Sequence, residues 1–265
     1  MVEFFPFELS QLQPQMFHLD FSVHGGPAKD DGLYTETSQE QSYTESTISF
    51  LLDRDQSFSF DRSLHIRYLM GALEGLGPRF VSLDASKPWL IYWILHSLDL
   101  LGHQVDDVVK SRAVSTLHSC QHPDGGYSGG YRQVAHLAAT YAAVHALALI
   151  GTDQAFESID KSKLDLYLHE MKQPNGSFRM HHGGEIDVRG TYCALSVASL
   201  LGIMDDKLSE NVPEFIASCQ SYEGGIAGIP GVEAHGGYTY CAFAALAILD
   251  RCDSINLELL QVICL

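Results

Sequence analysis

Apolar residues in this chain come in long blocks rather than in alternation. Three runs are apolar on nearly every side of a helix: Tyr141-Ala-Ala-Val-His-Ala-Leu-Ala-Leu-Ile, Tyr192-Cys-Ala-Leu-Ser-Val-Ala-Ser-Leu-Leu and Tyr240-Cys-Ala-Phe-Ala-Ala-Leu-Ala-Ile-Leu. A helix apolar all round is expected to be buried all round. Between these runs lie stretches with one apolar face, Asp106 to Cys120, Lys161 to Met171 and Glu210 to Cys219. The last carries Pro213 in its first turn, where a missing N–H is tolerated. Further upstream, Ile66, Leu69, Met70 and Leu73 share one face at helical spacing. Strands are excluded, because the period is wrong and the runs are long and alanine-rich.

The blocks repeat. Tyr92, Tyr141, Tyr192 and Tyr240 are separated by 49, 51 and 48 residues, and each run closes about ten residues later at Gly102, Gly151, Gly202 or Asp250. Ahead of the last three stand the turns Gln121-His-Pro-Asp-Gly125-Gly126-Tyr127, Gln173-Pro-Asn-Gly176-Ser-Phe178 and Gln220-Ser-Tyr-Glu-Gly224-Gly225-Ile226. A fixed period near 50 residues means stacked supersecondary units. Each unit reads as an outer amphipathic helix, a glycine-rich turn and an inner apolar helix. The expected fold is all-α, an inner and an outer helical layer, with about four hairpins present. Small residues such as Ala142, Ala143, Ala146 and Ala148 let inner helices approach closely.

The first 57 residues differ. Thr35 to Ser49 is rich in Thr, Ser, Glu and Gln, a composition that favours a poorly ordered arm. Phe4, Phe5, Phe7 and Phe17 are candidates for docking on another surface. The helical domain is expected over residues 58–265.

A net charge of −17 argues against a general nucleic-acid or anionic-membrane surface. The apolar runs are too short to span a bilayer, and Met1 to Ser10 lacks the pattern of a signal peptide. Cys120, Cys193, Cys219, Cys241, Cys252 and Cys264 form no CxxC pair and read as reduced core cysteines of a cytoplasmic protein. No Walker loop or metal-ligand spacing occurs.

Three clusters are candidates for chemistry. Trp89 and Trp93 lie one helical turn apart and form either a wall for a large apolar ligand or ordinary core. Arg189, just ahead of a buried helix, must pair with Glu185 or Asp187 or else bind an anion such as a diphosphate. Glu233-Ala-His235-Gly236-Gly237-Tyr238 heads the last inner helix, where free N–H groups suit a phosphate, unless it is a plain turn.

These residues carry a resemblance. Leu83-Asp-Ala-Ser-Lys-Pro-Trp89-Leu-Ile-Tyr92-Trp93, Gly125-Gly-Tyr-Ser-Gly-Gly, His136-Leu-Ala-Ala-Thr-Tyr141, Gly184-Glu-Ile-Asp-Val-Arg189 and Glu233-Ala-His-Gly-Gly-Tyr-Thr-Tyr-Cys241 closely resemble the β subunits of protein farnesyltransferases, over roughly residues 62–262. The resemblance implies an (α/α)6 barrel, here incomplete, and an αβ heterodimer. It implies farnesyl transfer from farnesyl diphosphate to the Cys of a C-terminal CaaX motif, with zinc holding the thiolate and magnesium assisting. It places His235, Gly236, Gly237 and Tyr238 at the diphosphate, and Arg189, Tyr192 and Cys241 along the isoprenoid. It places Trp89, Trp93, His136, Ala138 and Tyr141 in the peptide and isoprenoid pocket. Geranylgeranyl branches carry a small residue where Trp89 stands, so the tryptophan implies the 15-carbon lipid.

The resemblance has departures. The family's zinc ligands, and the groups that neutralise the leaving diphosphate, fall in repeats past the point matching Leu265, so this chain is expected to be a truncated form with no metal ligands and to be neither active nor stable alone. The alternative is an inactive form that only binds the α subunit. Gly130-Tyr131-Arg132 replaces the family's Gly-Pro-Gly, so that turn is expected to differ. A terpene cyclase is disfavoured, because neither Asp106-Asp107 nor Asp205-Asp206 extends into the acidic motif such enzymes need.

Overall fold

The computed structural model describes residues 34–54 and 60–263. It divides into two units, Met1–Phe60 and Asp61–Leu265. In the first, the Thr- and Ser-rich stretch is helical, forming α1 (Glu36–Arg54). Thr44, Ser46 and Thr47 donate to the carbonyls of Glu40, Ser42 and Tyr43, each four residues back, so their hydroxyls are satisfied inside the helix. Thr35 and Ser38 cap its start reciprocally. The phenylalanines proposed for docking lie outside the described residues.

The second unit is built of helices joined by turns over its described residues. It runs α2 (Arg62–Glu74), a 3-10 segment Pro78–Ser86, α3 (Lys87–Leu100), α4 (Asp107–Ser119), α5 (Leu137–Ile150), α6 (Asp153–Glu157), α7 (Lys161–Met171), α8 (Val188–Leu201), α9 (Asp206–Ser209), α10 (Val212–Ser218), α11 (Gly236–Ile248) and α12 (Leu257–Ile263). The inner layer is α3, α5, α8 and α11, packed side by side in chain order. Outside it, α4 packs on α5, α7 on α8 and α10 on α11. The last three inner helices begin four residues earlier than the apolar runs suggest, because His136, Asp187 and His235 serve as N-caps, each accepting from the backbone N–H two residues on. They end where expected: Gly102, Gly151, Gly202 and Asp250 all hold left-handed φ, 65°, 66°, 66° and 54°.

Each glycine-rich turn closes with two isolated antiparallel bridges at the same register: Gln121–Tyr127 and Ser128–Ala135, Lys172–Phe178 and Arg179–Ile186, Gln220–Ile226 and Ala227–Ala234. The turn drives one large side chain, Tyr127, Phe178 or Ile226, completely into the core. Two devices lock one repeat to the next. The first N–H of an inner helix donates to the following repeat's turn: Lys87 to Gly129 O (2.9 Å), Leu137 to Met180 O (2.7 Å), Val188 to Gly228 O (3.1 Å). The turn glycines Gly125, Gly176 and Gly224, at φ 107°, 95° and 100°, lie so close to the next outer helix that a Cβ would strike the carbonyls of Lys163, Asn211 and Leu259. Only glycine fits there, both for its φ and for the approach.

The expectation of burial on every side holds for α5 and α8 but not for α11. In α11 only Ala242, Ala245 and Leu246 are buried. Among the described residues, α5 and α8 each have an inner helix on both flanks, whereas α3 and α11 have one on a single flank. The altered turn, expected to differ, keeps the backbone of its repeat mates: Arg132 takes the left-handed φ of 61° where they have the glycines Gly183 (75°) and Gly231 (80°), and its guanidinium lies 5.2 Å from the Tyr131 ring.

Candidate functional site: an aromatic wall beside an arginine

The repeat spacing brings one tyrosine from each inner helix to the same level. Their rings, with the tryptophans of α3, form an unbroken chain. Trp93 and Tyr141 both pack on Trp89, at 5.3 and 5.7 Å between centroids. Tyr141 then meets Tyr192 at 5.4 Å, and Tyr192 meets Tyr240 at 5.7 Å. The hydroxyls follow the same path, Tyr141 to Tyr192 at 3.3 Å and Tyr192 to Tyr240 at 3.5 Å. Burial and the contact with Tyr240 push the hydroxyl of Tyr192 up to about 12, and burial and the contact with Tyr192 push that of Tyr141 higher still, so these two are neutral at ordinary pH. Trp93 is 50% and Tyr240 64% exposed, so the wall is an accessible face rather than sealed core. That favours the ligand wall over plain core packing for the tryptophan pair.

The charged cluster lies at the N-termini of α8 and α11. Asp187, whose side chain is 10% exposed, accepts from the backbone N–H of Arg189 (2.8 Å) and from its Nε (3.0 Å) and Nη2 (2.6 Å). Glu185 approaches Arg189 Nη2 at 3.7 Å. Arg189 thus pairs with both acids named as its partners, and the hydrogen bonds it donates to Asp187 hold its guanidinium firmly in the charged form. Its side chain remains 46% exposed and its Cζ lies 5.7 Å from the Tyr238 ring. Tyr238 in turn contacts His235 at 5.5 Å. His235 spends Nδ1 on the N–H of Gly237 (3.0 Å), so Gly236 and Gly237 form the first turn of α11 rather than a separate loop.

His136 caps α5 through Ala138 N–H and packs on His181 at 5.4 Å; burial and the neighbouring His181 hold its pKa below the usual histidine value. Ala138 is half-buried. Cys241 is half-buried on α11 and Cys193 fully buried on α8, and burial raises both thiols, so neither is a nucleophile at neutral pH. Among the described residues no three His, Cys, Asp or Glu side chains converge to hold a metal ion, so the zinc and magnesium of the resemblance find no ligand set among them. No described helix is long and apolar enough to cross a membrane.

An open cleft of about 790 Å³ lies at the opposite ends of the inner helices, bounded by Met204, Lys207, Glu214, Ile248 and Arg251. It touches none of the predicted residues. Charges of both signs line it, and it offers little to a long apolar chain, so the aromatic wall is the better candidate site. Sequence reasoning did not select Tyr240 or Asp187 as site residues. The period could have found Tyr240, the repeat mate of Tyr141 and Tyr192. Asp187 was named only as a possible partner, since its double duty as cap and clamp needs the folded backbone.

Residues 60–264 match the family model of the prenyltransferase alpha-alpha toroid domain. Protein farnesyltransferase subunit beta of Arabidopsis thaliana is 54% identical over 200 residues, covering 76% of this chain and 42% of the relative. That of Schizosaccharomyces pombe is 42% identical over 223 residues, covering 84% and 58%. Geranylgeranyl transferase type-1 subunit beta of Arabidopsis thaliana is 31% identical over 217 residues, covering 73% and 57%. The chain therefore spans about half the length of the curated relatives it matches. A solved structure, Candida albicans protein geranylgeranyltransferase-I complexed with GGPP, superposes with a TM-score of 0.63 at 20% identity, covering 77% of this chain and 63% of that one, and shares the fold. With the row of stacked hairpins, the turn glycines and this match in agreement, the chain belongs to the prenyltransferase α/α-toroid family.

Proposed function

We propose that this chain is part of the β subunit of a cytoplasmic protein farnesyltransferase, working with an α subunit to farnesylate CaaX proteins. The observation that carries this is the difference in likeness: 54% identity to a farnesyltransferase β subunit against 31% to a geranylgeranyl type-1 β subunit of the same plant. The aromatic wall supports it. A row of large rings closed off by Trp89 and Trp93 suits a farnesyl chain, and each buried CH₂ contributes about 0.8 kcal/mol. Arg189, whose side chain stays nearly half exposed beside Asp187 and Glu185, together with Tyr238 and the N–H groups opening α11, offers hydrogen-bond donors to the diphosphate. In the transfer, sulfur attacks C1 of the lipid, a C–S bond forms as the C–O bond breaks, and diphosphate leaves. The residues here would hold the lipid extended and steady the developing charge on the leaving group.

The test uses the tryptophans. Trp89 and Trp93 are the only two in the chain, and both stand in the wall. Titration of the chain, co-expressed with a matching α subunit, with farnesyl diphosphate is expected to quench their emission saturably. Trp89→Thr is expected to shift preference toward geranylgeranyl diphosphate. No quench with either lipid would sink the proposal.

A further inference from the structure

One turn below the tyrosine row lies a second row with the same period: His96, His145 and Ser196. His145 is the one that joins three inner helices. Its ring stacks on Tyr141 at 3.9 Å between centroids with 29° between planes, and meets Tyr92 of α3 edge-on at 6.0 Å. Nδ1 lies 2.8 Å from the Tyr141 carbonyl, and Nε2 lies 3.1 Å from Ser196 Oγ on α8. A carbonyl only accepts, so in neutral His145 the proton sits on Nδ1 and Ser196 O–H donates to Nε2. Both edges of the imidazole are therefore committed, and the ring has a single orientation. Tyr141, which lies flat on it, inherits that orientation.

We infer that His145, anchored by Ser196, is a positioning residue for the aromatic wall: it sets the plane of Tyr141, and through Tyr141 the contacts of Trp89 and Tyr192 on either side. The part that concerns lipid length rests on the function proposed above; the part that concerns the wall does not. Leucine at 145 would keep the bulk and lose both hydrogen bonds and the flat stacking surface. Alanine at 196 would remove the anchor without touching Tyr141.

The experiment is tryptophan emission of the ligand-free chain with its α subunit, followed by titration with farnesyl and geranylgeranyl diphosphate. His145→Leu and Ser196→Ala are expected to shift the emission of Trp89 and Trp93 and to change the ratio of the two apparent Kd values by about threefold to tenfold, the worth of one aromatic contact. His145→Gln, which retains a donor and an acceptor, is expected to restore part of the ratio. Ile216→Val, a buried change in α10, controls for stability alone: it should lower the Tm and leave emission and ratio unmoved. Unchanged emission in both His145→Leu and Ser196→Ala, whatever their Tm, overturns the inference. Failure of the unsubstituted chain to bind either diphosphate, with emission still shifted in the variants, would sink the proposed function and uphold the positioning role.

Discussion

Substituting alanine for Gly176 isolates what locks one repeat to the next. At φ 95° an L side chain is strained, and its Cβ would strike the backbone carbonyl of Asn211 at the start of the next outer helix. Backbone cannot rotate away as a side chain can. The left-handed conformation costs about 1–2 kcal/mol, and forcing extra volume into a packed contact about 1–3 kcal/mol more. The sum, about 2–5 kcal/mol, corresponds to a Tm lower by about 4–20 °C for a domain of this size. Gly183 supplies the control: its φ is 75°, but nothing lies within 4 Å of its would-be Cβ. Gly183→Ala is expected to show only the conformational part, about 1–2 kcal/mol. Urea unfolding followed by far-UV circular dichroism measures both, since helix loss reports the whole unit. Equal losses from the two substitutions would refute the contact argument and leave strain as the entire effect.

Other outcomes follow from the same geometry. Arg132→Gly, which gives the first turn the glycine its repeat mates have, is expected to raise stability by up to about 1 kcal/mol, because relief of the left-handed strain exceeds the added freedom of the unfolded chain; a loss in urea midpoint would count against it. Asp187→Asn keeps an acceptor for the α8 cap but removes the charge from Arg189, whereas Asp187→Ala removes both, so the alanine variant is expected to be less stable by about 1 kcal/mol more, read from the same unfolding curves. Stability is also expected to fall on acidification. Burial holds His136 and His145 below their ordinary 6.5, so near that pH the unfolded chain takes up protons that these two refuse when folded. Their contribution is full above 6.5 and declines as pH drops below it. His169 opposes them: held by Asp165 and Asp205, its pKa is raised, and its contribution is present below 6.5 and lost as pH rises through the folded value. With two groups against one, the urea midpoint should drop from pH 7 to pH 5, and His145→Asn should flatten that drop; an unchanged slope would show that His145 titrates normally.

The sequence alone determined the repeating unit. Period, apolar block and turn glycine are local, and they sufficed to separate inner from outer helices and to mark where each inner helix ends, down to the left-handed C-terminal residues. It also supplied the tyrosine row, since equal spacing on stacked units places equal residues at equal heights. The starts of the inner helices were less legible, because capping by His136, Asp187 and His235 depends on side-chain torsions that pattern does not carry. Tertiary structure alone decided three things. It decided which inner helices are buried on both flanks, a matter of neighbours rather than composition. It paired Arg189 with Asp187 and Glu185 while leaving its side chain 46% exposed, an arrangement the sequence left open. And it placed His145 against Tyr141 and Ser196, joining residues 51 positions apart on different helices. Such contacts depend on how one helix lies against the next, and a linear pattern records spacing along the chain but not the angle at which side chains meet across it.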